Sequence, residues 1–223
     1  MVRDRGDGWE LPEVEPEIVK APLVTIAGFI QAKNYKSVLL RRVDLIVIHS
    51  MENPERPGTA RGVTAWFASP TSPVASSHYN IDADGIWQSV KDTDVAYAAP
   101  GTNHNGLQFE HEGYASQTPL QWHDERSTRT LDLSARLAAM KCVEFSIPVQ
   151  FVDAEGLLDC DRGIITHREV TRACQMANQR VLKTSPFYNK KQPFVPLTNH
   201  SDPGVGFPML EYLAAVRRYV QEL

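Results

Sequence analysis

Five residues of this chain combine a side chain suited to metal binding or proton transfer with a local sequence that would hold it in place: His49, Glu110, His167, His200 and Asp202. His49 closes DLIVIH at 44–49, a continuous apolar run rich in β-branched residues. Such a run suits a strand covered on both faces, and its C-terminal end is where α/β sheets gather ligand sites. His167 follows GIIT in the same manner, and Asp202 lies in HSDPG, just before Pro203 and Gly204. Two imidazoles and a carboxylate suit zinc, and three protein ligands leave a fourth position for water. Their separations are too long for any short metal motif. Taken singly, a histidine such as His49 is more often structural or solvated than a ligand, and spacing alone gives the metal set a weak signal.

Glu110 ends the alternating stretch GLQFE at 106–110. A carboxylate there could take a proton from metal-bound water, or it could be a solvated edge residue. His200 stands two residues before Asp202, and in extended chain the two side chains point the same way. A metal at Asp202 would put His200 where it could stabilise a developing oxyanion; otherwise it is a surface residue of a Pro/Gly loop. His111 alternates away from Glu110, so the two should not share a pocket. His78 opens the hairpin SSHYNID and is expected to bond within the fold, while His104 and His123 are expected to be exposed. GxSxG, GxxxxGK[ST] and HExxH are absent. Cys142, Cys160 and Cys174 are odd in number and form no CxxC pair, which argues for buried or partly buried free thiols.

These residues need a frame to hold them. A strand over 44–49 is followed by a loop with two prolines and then by a helix over 62–68, with Val63, Trp66 and Phe67 as its apolar members. Pro70 and Pro73 bar its continuation. A hairpin over 78–90 turns at DADG, and a strand over 107–110 follows a polar loop. Residues 116–130 read as a polar connection, 131–147 as the best helix, 163–166 as a short strand, 183–208 as a long irregular segment and 209–223 as a closing helix. The expected fold is α/β: one domain with a central mixed sheet flanked by helices. The polar first twenty residues read as an arm, with the arm and lead-in over 1–40 and the catalytic domain over 41–223.

Of 223 residues, 42% are hydrophobic and 22% charged, ordinary for a soluble globular domain, and the net charge of −4 argues against a general nucleic-acid binder. No apolar run is long enough to span a bilayer, and the first residues lack the apolar stretch of a secretory signal. The expectation is a protein that accumulates in the cytoplasm, without stable membrane association, and needs a separate release route for an outside substrate.

The blocks VDLIVIHSME at 43–52, VTAWFASPTSPVASSHYNIDADGIWQSVKDTDVAYAA at 63–99, GLQFEHEGYA at 106–115, GIITHREV at 163–170 and HSDPGVGFP at 200–208 occur in an order that resembles the type-2 N-acetylmuramoyl-L-alanine amidases. That family includes phage T7-type lysozymes, AmpD-like amidases and animal peptidoglycan recognition proteins. The likeness is strongest to the amidase domain of endolysins from phages of actinobacteria, and it covers 43–223. It implies a zinc cleft on one side of the sheet, with Zn2+ held by His49, His167 and Asp202. It also implies Glu110 acting on the zinc-bound water and His200 polarising the carbonyl. The implied activity is hydrolysis of the amide bond between N-acetylmuramic acid and L-alanine in bacterial peptidoglycan, as a phage or prophage endolysin causing host cell lysis. A monomer is expected, held in the host cytoplasm until release, with a possible indirect dependence on a holin. Two departures stand out. Ser77 occupies the position of the catalytic tyrosine of T7-type members, which leaves proton handling to Glu110 and His200. The stretch between His167 and Asp202 is long, and its 171–199 insertion, with Lys183, Lys190 and Lys191, is expected to line the substrate cleft. A non-catalytic peptidoglycan-binding module and a zinc peptidase cutting within the stem peptide are the alternatives, and the intact ligand set favours an enzyme.

Overall fold

The structure, a computed structural model, describes residues 23–193 and 195–223; the polar arm read over the first twenty residues lies outside them. Strand β3 (Leu45–Ser50) forms the DLIVIH run and is buried at every position. Parallel neighbours flank it on both sides, β7 (Gly106–His111) and β8 (Gly163–Thr166). Beyond β7 lies the hairpin of β4 (Tyr79–Asp82) and β5 (Gly85–Gln88), with β1 (Gly28–Phe29) at the edge. The resulting six-stranded order is β1-β5-β4-β7-β3-β8, a mixed sheet as expected. The hairpin turns where Asp82 Oδ1 accepts from the backbone N–H groups of Asp84 and Gly85, a local bond that replaces the ladder. A separate antiparallel pair joins β2 (Tyr35–Lys36) to β6 (Val95–Ala96).

Strand alternation divides the sheet into two faces. Ile46, Ile48, Leu107 and Phe109 pack with Ala138, Leu213 and Val216 from helices α2 (Glu125–Glu144) and α5 (Met209–Val220). Leu45, Val47 and Ile165 face the other way, onto Leu157 of α3 (Ala154–Leu158) and Val170, Ala173 and Ala177 of α4 (His167–Gln179). Each buried Leu, Ile, Val or Phe among these contributes about 1.5–3 kcal/mol, and a polar residue on either face needs a specific partner to offset its burial. On the second face the apolar pattern stops one step before the strand ends. Val47 pairs with Gln108, and His49 pairs with Glu110, which pairs in turn with Asn80.

Three element boundaries differ from the sequence expectation. Helix α2 starts at Glu125, inside the stretch read as a polar connection, because its first turns bury hydroxyls rather than carbon. Asp124 caps it by accepting from the Ser127 N–H, Thr130 Oγ1 donates to Glu112, and Ser134 Oγ lies 2.6 Å from His111 Nε2. Helix α4 takes up the first part of the 171–199 stretch, nucleated by the Thr166 side chain accepting from the Glu169 N–H. Helix α1 (Thr59–Ala68) begins a turn earlier than expected, after Gly58 in a left-handed conformation. No helix among the described residues is long and apolar enough to cross a membrane.

Candidate metal centre and catalytic cleft

Parallel pairing brings the ends of β3, β7 and β8 to one rim, and α4 starts there. His49 is the penultimate residue of β3, and His167 is the first residue of α4. The segment before α5 returns across the rim and delivers Asp202. His49 Nδ1 lies 3.0 Å from Asp202 Oδ2, and His167 Nδ1 lies 3.2 Å from Oδ1. All three residues are buried, and their candidate ligand atoms fall within 4.8 Å of one another.

The outward nitrogens fix the ring orientation. His49 Nε2 is 2.8 Å from Gln108 Oε1, and the amide is oriented by Nε2 donating to the Gly106 carbonyl. His167 Nε2 is 2.8 Å from Thr198 Oγ1. With the outer nitrogen of each ring held by Gln108 or Thr198, both Nδ1 atoms converge on Asp202 and are the ones turned toward a metal. Asp202 Oδ1 is buried yet accepts no well-aligned hydrogen bond among the described residues. Two inward imidazole nitrogens and a carboxylate with an unused buried oxygen fit a zinc ion.

Charge at this rim is unevenly distributed. Burial pulls the His49 imidazole down, but Glu110 and Asp202 beside it outweigh burial and raise it to about 9. Burial dominates at His167 and lowers it to about 4 despite Asp202. The surrounding imidazoles overcome the effect of burial on Asp202 and hold its carboxyl well below the usual carboxylate range. Glu110 is pushed up to about 7, mainly by burial, with Asp202 and Glu52 adding repulsion against the attraction of His49. Its Oε2 is buried without a hydrogen-bond partner among the described residues. A carboxylate of that proton affinity, left without a donor, is suited to exchanging a proton near neutral pH.

His200 stacks on His167 with ring centroids 4.5 Å apart and places Nδ1 3.4 Å from Asp202 Oδ1, while its side chain stays 65% exposed. All five residues singled out in the sequence therefore meet in one cleft of about 910 Å³. Ser77 does not join them; it is buried and donates to Asn80 Oδ1. From the 171–199 stretch, residues 196–199 line the cleft, but Lys183, Lys190 and Lys191 do not, which corrects the expectation for the lysines. Their stretch turns over the outer end of α4, where the Asn189 N–H donates to Asn178. Gln108 and Thr198 were missed. Gln108 had a signal, being two residues before Glu110 on one strand; Thr198 sits in irregular chain without periodicity. His78 bonds within the fold, His104 is exposed and the three cysteines are free thiols, as expected, but Cys160 is exposed where burial was expected.

Residues 39–186, well over half of the chain, match the N-acetylmuramoyl-L-alanine amidase family. The chain belongs to that family. Its activity is zinc-dependent hydrolysis of the amide bond between N-acetylmuramic acid and L-alanine in peptidoglycan. His200 and Asp202 lie beyond the matched span, so the amidase gains them through geometry. Among solved structures, the hydrolase AmiA of Staphylococcus aureus, solved with its ligand, is similar with a TM-score of 0.62 at 17% identity, over 92% of this chain and 86% of that one. A mutant endolysin from Bacillus subtilis gives 0.50 at 15%, over 73% and 97%. A derivative of AmpD gives 0.51 at 14%, over 87% and 94%. At such identities the likeness speaks for the fold alone. No curated protein sequence matches the chain.

Proposed function

We propose that this amidase acts as a phage or prophage endolysin on the host wall, with a host among the actinobacteria. His49, His167 and Asp202 hold the zinc, and Glu110 and His200 do the proton and charge work. The chemistry zinc supplies when bound is Lewis acidity toward the scissile carbonyl and the attacking water. Glu110 accepts a proton from the water through its unpaired Oε2 and passes it to the departing nitrogen of L-alanine. His200, held against Asp202 with an exposed ring edge, donates to the oxygen that becomes negative. Gln108 and Thr198 keep the two ligand rings in register. The catalytic domain spans 41–223, and the chain works as a monomer that stays in the host cytoplasm until a holin or similar agent opens the way to the wall.

The observation that carries this reading is the unpaired Glu110 oxygen beside the converging triad. Mass spectrometry of peptidoglycan digests tests it. Intact stem peptides with new amino termini at L-alanine are expected, from walls of actinobacteria in particular. Cuts inside the stem peptide would make the chain a peptidase, and wall binding without products would make it a binding module.

A further inference from the structure

One wall of the cleft is not used by the reaction described above. Helical spacing groups Trp66 with Val63 and Phe67, yet only those two pack beneath α1, while Trp66 is 47% exposed and lines the cleft. Helix α1 stands on the same face of the sheet as α4. Asn80, the strand partner of Glu110, donates to Thr64 Oγ1 at 2.9 Å, and Asp82 Oδ2 accepts from the Ala60 N–H at 2.8 Å. The floor formed by His49 and Glu110 thus lies between α1 on the β4 side and the segment 196–200 on the β8 side. A substrate whose scissile carbonyl rests on that floor meets one wall with its sugar half and the other with its peptide half.

The two walls differ in chemistry. Trp66 and Val74, the latter 79% exposed, give the α1 wall an uncharged apolar surface, and Phe67 supports the indole at a centroid distance of 5.2 Å. The opposite wall combines Pro196 and Leu197 with the polar Thr198, Asn199 and His200, and among its described residues it carries no aromatic platform. Large apolar side chains left open in a concave site mark ligand contact rather than core. An indole presents a flat face to the C–H side of a pyranose and an N–H to a hydroxyl, whereas an extended peptide asks for polar partners along its length.

We infer that Trp66 is the platform for the pyranose ring of N-acetylmuramic acid, so that the glycan lies along α1 and the stem peptide runs toward 196–200. This rests on the amidase reading, since only a lactyl ether separates the sugar from the carbonyl that is cut. Trp66 binds substrate and positions it; it takes no part in proton transfer.

The test compares two substrates with the same scissile amide, a disaccharide-peptide and a sugar-free N-lactoyl-peptide. Trp66→Ala should raise KM for the disaccharide-peptide at least tenfold, leave its kcat unchanged, and leave kcat/KM for the N-lactoyl-peptide as in the parent. Trp66→Phe should recover most of the loss. Equal losses on both substrates, or none on either, would overturn the assignment. A second measurement does not depend on turnover: titration with the peptide-free disaccharide N-acetylglucosaminyl-N-acetylmuramic acid should shift the Trp66 indole N–H resonance in the NMR spectrum. An unmoved Trp66 signal at saturating sugar would overturn the inference even in a protein that cuts the bond, and a shifted one in a protein that cuts nothing would sink the amidase reading alone.

Discussion

His49 and His111 sit at the ends of neighbouring strands, both buried and joined by a hydrogen bond from His111 Nδ1 to the His49 carbonyl at 2.9 Å. Yet burial is outweighed at His49 by two carboxylates, which raise it to about 9, while burial, aided by the His49 ring, lowers His111 to about 4. The difference lies in which face of the sheet each ring meets. His111 points toward α2, where its Nε2 accepts from Ser134, whose hydroxyl is bonded in turn to Tyr212. No carboxylate enters that chain, and the imidazole serves as a neutral packing group. His49 points into the cleft between Asp202 and Glu110. A buried histidine is thus not a site by itself; the opposing charges converging on it make it one.

The strongest way to break this contrast is to delete each ring in turn. His49→Ala should lose bound zinc and wall-lysing activity together, whereas His111→Gln should keep zinc while losing stability; metal analysis beside turbidity clearance reads both. Zinc retained by His49→Ala would remove the distinction. Next in size is Glu110→Gln, which should keep its zinc and lose about 10²–10⁴-fold in kcat if it handles the proton. A kcat within threefold of the parent would take the proton away from Glu110.

Outer partners sharpen the cleft side. Gln108→Ala and Thr198→Ala should each weaken zinc affinity by about 10–100-fold, as competition with a chelator would show, because the free outer N–H lets the ring turn. Unchanged affinity would mean that packing alone holds the rings. The smallest effect sharpens the neutral side. His78 accepts the Gln108 N–H at Nδ1 and donates from Nε2 to the Asp94 carbonyl, and burial, aided by Arg41, lowers it to about 4. The unfolded chain then binds a proton that the folded one refuses. Stability is therefore full above about pH 6.5 and falls as pH drops toward 4, by on the order of 3 kcal/mol for this residue. Denaturant titrations of His78→Gln between these limits should show a pH slope shallower by about one proton. A slope equal to the parent's would mean that His78 is already protonated in the fold.

How far the sequence reached follows the same division. Strand β3 and the rim position of His49 were legible because an unbroken apolar run has one reading in a sheet covered on both faces. The pairing of Glu110 with His49 was not, since register belongs to the strand pair and not to either strand. Asp202 and His200 were legible as same-side neighbours but not as neighbours of His49, because the chain between them has no period to follow. Helix α2 hid its first turns by burying Ser127, Thr130 and Ser134 against polar partners, which hydrophobic patterning cannot register. Trp66 misled in the opposite sense, having the spacing of a core residue and the surroundings of a binding surface.

The whole site turns on zinc held by His49, His167 and Asp202 through two imidazoles and a carboxylate. X-ray absorption at the zinc edge of the purified protein tests it most directly. About one zinc per chain is expected, with imidazole scattering and only nitrogen and oxygen neighbours at about 2.0–2.2 Å, and His167→Ala should lose the metal, as should His49→Ala. Sulfur at about 2.3 Å would instead place the metal on the cysteines and rule out this ligand set, as would zinc retained with an unchanged spectrum in His167→Ala.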